Sequence, residues 1–341
     1  MTDYTPLEDI ETLTTIVNQG GRLSAAGATP ALEQVLEQYL SHYRLDAILD
    51  DRVTLHAGNI ETPRFRLWTQ VWRPRKPRGT AVVVHGYYDH LGLYRHLLKL
   101  LLELELTVVL WDLPGHGLSS GERADIEDFA DYGDCLRALQ QYLGDHGLAS
   151  GPWIGLGQST GGAILATDAL SRGDDGHWSA LVLLAPLVRP WGWTRAAWVH
   201  LLVSPFVDSV PRKFRPNTND DDFATFLREQ DPLQPVRLPT GWVTAMRRWM
   251  PRLMQLPPCQ LPTLIVQGKK DMTVDGPWNL AVLGKKFPQA TVHCHAEARH
   301  HLVNEAEDIR LELFEEVRHF LEQQLSAEPP VKRMSRRCPD A

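Results

Sequence analysis

Gly157-Gln158-Ser159-Thr160-Gly161 sets a hydroxyl between small residues in a G-x-S-x-G pattern. A short apolar run at 153–156 precedes it, and a helix-forming stretch at 161–171 follows. That strand–turn–helix setting puts a serine on a sharp turn with its Oγ exposed. A serine hydroxyl is a weak nucleophile at neutral pH. It needs a base within hydrogen-bond reach and an acid behind the base. In this setting the chain order is Ser, then Asp or Glu, then His. Asp271 follows the apolar run 262–267, at the end of a strand where ligands gather in α/β folds. Asp275 competes with it, but its place before Gly276-Pro277 reads better as a helix cap. After the next strand, at 290–294, come His300 and His301. Spacing alone does not choose between them. The one that is not the base is expected to face solvent or cap the following helix.

Acyl transfer builds charge on the carbonyl oxygen, so backbone N–H donors must already point at it. One expected donor is the N–H of Thr160, directly after the nucleophile. The other is the N–H of Tyr87, in His85-Gly86-Tyr87-Tyr88-Asp89, after the buried run at 80–85. Asp112 and His116, in DLPGHGLSSGER, precede the serine and read as loop braces. His293 and His295 could face one metal ion but lack a clear third ligand. Asn219-Asp220-Asp221-Asp222 lacks the spaced ligands of a calcium loop and reads as a helix cap. The chemistry asks for no metal and no organic cofactor.

These residues need a frame. Short β-branched runs at 80–85, 107–111, 153–156, 180–185 and 262–267 read as strands buried on both faces. Helices are expected at 97–104, 126–143, 161–171, 276–287 and 303–325. Such alternation predicts a mostly parallel sheet covered on both sides. Between about 187 and 260 the alternation stops, and the residues read as helices and loops. The expected divisions are a helical appendage at 1–50, a core at 51–186, a helical lid at 187–260, a second core part at 261–325, and a disordered tail at 326–341.

The 341 residues exceed one ordinary domain. A net charge of −7 argues against nucleic-acid binding, which needs a basic face. The four cysteines are scattered, with no CxxC spacing, which suits a reducing compartment. No secretory signal or membrane span is visible. The protein is expected in the cytoplasm, with peripheral membrane contact open and its oligomeric state undetermined.

Taken together, HGYYDH, DLPGHGLSSGER, GQSTGG, GKKDMTVD and ARHHLVNE resemble the α/β-hydrolase superfamily, in its monoacylglycerol lipase and lysophospholipase group, which is classed with serine-aminopeptidase-like hydrolases. The resemblance runs from about 53 to 323, and DPLQ at 231–234 resembles the bacterial lysophospholipase branch. It implies an eight-stranded sheet with a helical lid between strands six and seven. It also implies catalysis by Ser159, Asp271 and His300. ARHHLVNE favours His300 as the base, because a Glu stands five residues after it. The family often has a small residue after HG. Here it is Tyr87, whose side chain would narrow the acyl or alcohol pocket.

Five of the eleven tryptophans fall in the lid region. Some of these side chains bury a helix face, and Trp191, Trp193, Trp198 and Trp249 are expected to line an apolar site for substrate. Arg247, Arg248 and Arg252 stand beside Trp249, as lipid-phosphate contacts or as solvated side chains. The expected function is hydrolysis of single-acyl lipid esters. A small-ester hydrolase or aminopeptidase, and a non-catalytic binding scaffold, are the alternatives.

Overall fold

The computed structural model describes residues 13–15, 17, 21–25, 30–173 and 176–326. The predicted tail beyond Ser326 lies outside them, as does part of the N-terminal appendage. Helix α1 (Pro30–His42) belongs to that appendage and begins at the expected proline. Strands β1 (Val53–Glu61) and β2 (Arg66–Pro74) form an antiparallel pair. The chain then alternates: β3 (Gly79–Val84), α2 (Arg95–Glu103), β4 (Leu106–Trp111), α3 (Ala130–Asp145), β5 (Trp153–Gln158), α4 (Thr160–Arg172) and β6 (Trp178–Leu184). After a long insertion come β9 (Thr263–Gly268), α8 (Gly276–Lys286), β10 (Thr291–His295) and α9 (Glu307–Ser326). Val303 and Asn304, expected to open that last helix, instead form a separate 3-10 turn with Leu302.

Eight strands make one sheet in the order β1-β2-β4-β3-β5-β6-β9-β10. All pairings from β4 to β10 are parallel. The β-branched runs are buried on both faces because their alternate side chains enter two separate cores. Val83, Val108, Leu110 and Leu156 pack with Leu97 and Leu101 of α2 and Leu313 and Val317 of α9. Val82, Val84, Val109 and Leu183 pack on the other face with Leu136 and Leu139 of α3, Leu165 of α4 and Leu283 of α8. The period of two thus settles which helix covers which side. Strand order reverses around β3, between β4 and β5, and the crevice at such a reversal is where α/β sheets hold their ligands.

The insertion between β6 and β9 contains α5 (Trp193–Val203), β7 (Ser209–Pro211), α6 (Asp221–Glu229), β8 (Arg237–Pro239) and α7 (Thr240–Gln255). It is not purely helices and loops: β7 and β8 form a two-stranded antiparallel ribbon. Each strand is only three residues long and ends in proline, too short for a period-of-two signal. α7 buries Trp242, Ala245, Met246, Trp249 and Leu253 against the core, whereas α5 buries only His200.

Candidate active site

β5 ends at Gln158, and Ser159 turns the chain directly into α4. Ser159 has φ 53° and ψ −111°, a conformation that strains any residue with a side chain. Its N–H donates to Leu184 O at 2.8 Å, which helps hold the turn. The helix can start so close to the sheet only because Gly161 has no side chain. A Cβ there would lie 1.9 Å from Val84 O.

Ser159 Oγ lies 3.0 Å from His300 Nε2, and His300 Nδ1 lies 2.8 Å from Asp271 Oδ2. All three residues are buried. Asp271 is fixed from several sides. Its Oδ1 accepts the N–H groups of Thr273 (2.7 Å) and Val274 (3.1 Å), and its Oδ2 accepts Gln267 Nε2 (2.9 Å). Burial alone would raise the Asp271 pKa. The His300 imidazole and the two amides outweigh burial and hold it below the usual carboxylate range. For His300, burial favours the neutral ring, but Asp271 outweighs it and raises the pKa above the ordinary histidine value. This geometry can pass a proton from the hydroxyl to an imidazole that a carboxylate orients.

The β3 loop lies against the serine, so close that a methyl on Gly86 would sit 3.5 Å from Ser159 Cβ. The Tyr87 N–H has no hydrogen-bond acceptor among the described residues. Thr160 is the first residue of α4, where helix N–H groups lack intrahelical partners and the dipole favours an anion. The Tyr87 ring stacks on Trp242 at 3.8 Å, and its hydroxyl donates to Ala124 O at 2.7 Å.

His301 neither faces solvent nor caps the following turn with its side chain. It is buried, and its Nε2 lies 3.1 Å from Asp89 Oδ1. The other oxygen of Asp89 accepts Gly86 N–H (3.2 Å) and Tyr94 Oη–H (3.0 Å). This second acid–imidazole couple thus ties the β3 loop to the loop that carries His300. No sequence signal announced it, because its members stand 212 positions apart. A third couple joins His90 Nε2 to Asp231 Oδ2 at 3.0 Å, with Tyr43 Oη–H donating to Asp231 Oδ1 at 2.9 Å. Here DPLQ fastens the insertion to the core. Asn217 O accepts the N–H groups of both His300 (3.0 Å) and His301 (2.8 Å), a second fastening.

The four tryptophans assigned to substrate separate. Trp249 is a core residue: it stacks on Phe129 at 4.9 Å and its Nε1–H donates to Thr167 Oγ1 at 2.9 Å. Its place in α7 points it at the sheet-covering helices, which sequence periodicity could not tell from pointing at a ligand. Trp193 is half-buried and lines an outer groove with Met250, Met254 and Trp278. Trp191 and Trp198 are exposed, at 48% and 66%. Arg252 pairs with Asp128 at 2.9 Å. Asp275 caps α8 and pairs with Arg189, Asp220 caps α6, and Asp112 accepts the amides of Leu91 and Leu118. His293 and His295 lie beside Glu316 and Glu312. Among the described residues no group of three ligating side chains could hold a metal ion.

Comparison with known proteins agrees with this architecture. The family model described as serine aminopeptidase, S33, matches residues 75–307. The human monoglyceride lipase is 29% identical over 280 residues, covering 77% of this chain and 90% of that one. The monoacylglycerol lipase of Mycolicibacterium smegmatis is 36% identical over 125 residues, 36% of this chain and 43% of that one. Among solved structures, the Paleococcus ferrophilus monoacylglycerol lipase superposes with a TM-score of 0.65 at 21% identity, covering 76% of this chain and 99% of its own. A soluble variant of the Saccharomyces cerevisiae monoglyceride lipase gives 0.67 at 17%, with 82% and 98% covered. These two likenesses speak for the fold, which is that of the α/β hydrolases. By the family match over most of its length, the chain belongs to the serine aminopeptidase S33 family of α/β hydrolases, with monoglyceride lipases among its relatives.

Proposed function

We propose that the protein is a serine hydrolase that cleaves the carboxylic ester of single-acyl lipids through an acyl-enzyme. The observation that carries this reading is the unbroken line from Ser159 Oγ through His300 to Asp271. His300 Nε2 takes the hydroxyl proton as Ser159 attacks the ester carbonyl. The N–H groups of Thr160 and Tyr87 hold the oxygen as it becomes negative. His300 then gives its proton to the leaving alcohol, and a water activated by the same imidazole hydrolyses the acyl-enzyme. Asp271 keeps Nδ1 protonated and stabilises the imidazolium.

The insertion, read as a lid, supports a lipid substrate. Trp198, Leu202 and Phe206 are exposed at 66%, 71% and 85%, an apolar surface suited to an acyl chain or a bilayer interface. Among the described residues no helix is long and apolar enough to cross a membrane, so contact with a bilayer would be peripheral. The relatives' names as monoglyceride lipases point to the same substrate class. An aminopeptidase reading keeps the same three residues but leaves the apolar surface without a role.

One panel tests the proposal. Wild type and Ser159→Ala are assayed on short and long acyl esters, a monoacylglycerol, a lysophospholipid and an aminoacyl amide. The expected result is ester hydrolysis that falls at least about 10³-fold in Ser159→Ala. Undiminished turnover in that variant refutes the mechanism, and preference for the amide refutes the lipid assignment.

A further inference from the structure

Arg212 stands just beyond β7, in an irregular stretch of the insertion that gives no sequence signal. Its guanidinium lies over the Tyr88 ring, with Cζ 4.0 Å from the centroid, and over Phe214 at 4.3 Å. Nη1 donates to Gln234 Oε1 (2.7 Å) and Pro235 O (3.1 Å). The plane of the group is therefore fixed by two rings, and one corner by two carbonyl-type oxygens. Among the described residues no carboxylate lies within ion-pair distance of it, and Nε and Nη2 have no acceptor.

The two carboxylates whose charge reaches Arg212 are Asp89 and Asp231. Both are already engaged, Asp89 with His301, Gly86 and Tyr94, and Asp231 with His90, Tyr43, Gln234 and the Leu233 N–H. A second guanidinium converges on the same turn. Arg123 donates from Nη1 to Gly117 O at 2.9 Å and from Nη2 to Leu233 O, and it too has no carboxylate partner among the described residues. Two guanidinium groups, neither in an ion pair among the described residues, thus stand together beside the candidate site, with the charges of Asp89, Asp112 and Asp231 near but not in contact with them.

That place is specific. Tyr88, under the guanidinium, directly follows Tyr87, whose N–H belongs to the oxyanion site in the reading above. An arginine presents Nε and Nη2 as a planar fork that matches two oxygens of a phosphate. Held by stacking and by its Nη1 corner, the fork loses little freedom on binding.

We propose that Arg212 is a specificity-determining residue that binds the phosphate of a phosphate-bearing headgroup on the alcohol side of the scissile ester, so that lysophospholipids are preferred over neutral monoacylglycerols. The inference rests on the ester-hydrolase reading and deepens it. Arg212 acts on the substrate's charge and not on the proton transfers, so its removal is read in the ratio of two substrates.

The test compares kcat/KM for a lysophosphatidic acid, a lysophosphatidylcholine and a monoacylglycerol of one acyl chain, in wild type, Arg212→Met and Arg212→Lys. The phosphate-to-neutral ratio is expected to fall roughly 10- to 100-fold in Arg212→Met, the loss that follows from removing a charge-assisted pair. Arg212→Lys keeps the charge without the fork, so its ratio should fall less. An unchanged ratio in Arg212→Met overturns the proposal, even if both activities drop. Wild type alone also decides: a higher kcat/KM on the neutral ester than on either phosphate-bearing ester overturns it, whether or not the variants fold. Inhibition of neutral-ester hydrolysis by inorganic phosphate, without preference for phosphate-bearing esters, would make this a free-anion site and overturn the headgroup assignment. Hydrolysis that persists in Ser159→Ala refutes the underlying reading. An unchanged ratio with Ser159-dependent hydrolysis refutes only Arg212.

Discussion

Replacing Asp271 by Asn probes the site most sharply, because the surroundings dictate how the amide must sit. Oδ1 of Asp271 accepts two backbone N–H groups, at 2.7 and 3.1 Å. Only the carbonyl end of an asparagine can take that place. The NH₂ end is then forced to where Oδ2 was, 2.8 Å from His300 Nδ1 and 2.9 Å from the donor Gln267 Nε2. Two donors would face each other there, and His300 Nδ1 would have to accept. The proton moves to Nε2, which then cannot take the Ser159 proton. A tautomer error of this kind costs about 10⁴ in kcat, or about 5 kcal/mol in the barrier. The assay is steady-state hydrolysis of a chromogenic ester against pH, with folding checked by thermal unfolding. In wild type the acid limb should lie above the ordinary histidine pKa, because Asp271 outweighs burial at His300. In the variant any residual acid limb should move down, since the largest influence opposing burial is gone and only the charge of Asp89 still opposes it. A folded Asp271→Asn protein with kcat within tenfold of wild type would refute the reasoning.

His301→Leu leaves the buried Asp89 carboxylate without its imidazole, and a loss of about 3 kcal/mol in stability is expected by denaturant titration. His301→Gln should recover at least half of it, since its amide can donate where Nε2 did. Equal losses in the two variants would count against the couple. Trp249→Ala should cost about 3–5 kcal/mol, as for other large core truncations, whereas Trp198→Ala should stay within about 0.5 kcal/mol and weaken binding to lipid vesicles instead. Acid stability follows from the buried carboxylates. Burial opposes their charge, but their partners outweigh it and keep Asp89, Asp231 and Asp271 below the ordinary carboxylate value. Their contribution is present above about pH 4 and is lost as pH falls through the depressed values. His90, raised by Asp231 against burial, contributes fully below about pH 6.5 and loses that contribution as pH rises through its folded pKa. Melting temperature against pH should therefore fall steeply in acid, and Asp231→Asn should flatten that slope.

The core was legible because its strands are apolar on both faces and short, and because G-x-S-x-G carries its own geometry. The expected strand and helix positions agree with the structure to within a few residues, and Ser159, His300 and Asp271 meet although 141 and 29 positions separate the bonded pairs. The insertion was less legible, for physical reasons. β7 and β8 are three-residue strands, so no alternation could develop. The tryptophans of α5 and α7 look alike in sequence, yet α7 is pressed on Phe129 and Thr167 while α5 overhangs. The roles of Asp89, Asp231 and Arg212 come from partners brought together by the fold, and no local spacing encodes them.

The fastening of Asn217 to the His300 loop divides the insertion mechanically. From about 212 to 255 the chain is bolted down by Asn217, Asp231 and the buried face of α7. The stretch 193–207 is a cantilever held by Trp193 packing on the core, by His200, whose Nε2 meets Thr240 O at 2.9 Å, and by Val207 O, which accepts Thr240 Oγ1–H at 3.0 Å. The two parts should tolerate change very differently. The exposed residues of the overhang, such as Trp198, Leu202 and Phe206, can be exchanged to reshape its apolar surface, since none of them braces Ser159, His300 or Asp271. The bolted part shares backbone hydrogen bonds with the His300 loop, so alterations there would be felt in turnover as well as in specificity. New substrate preferences are thus easiest to build at one end of the insertion, and the other end acts as its footing.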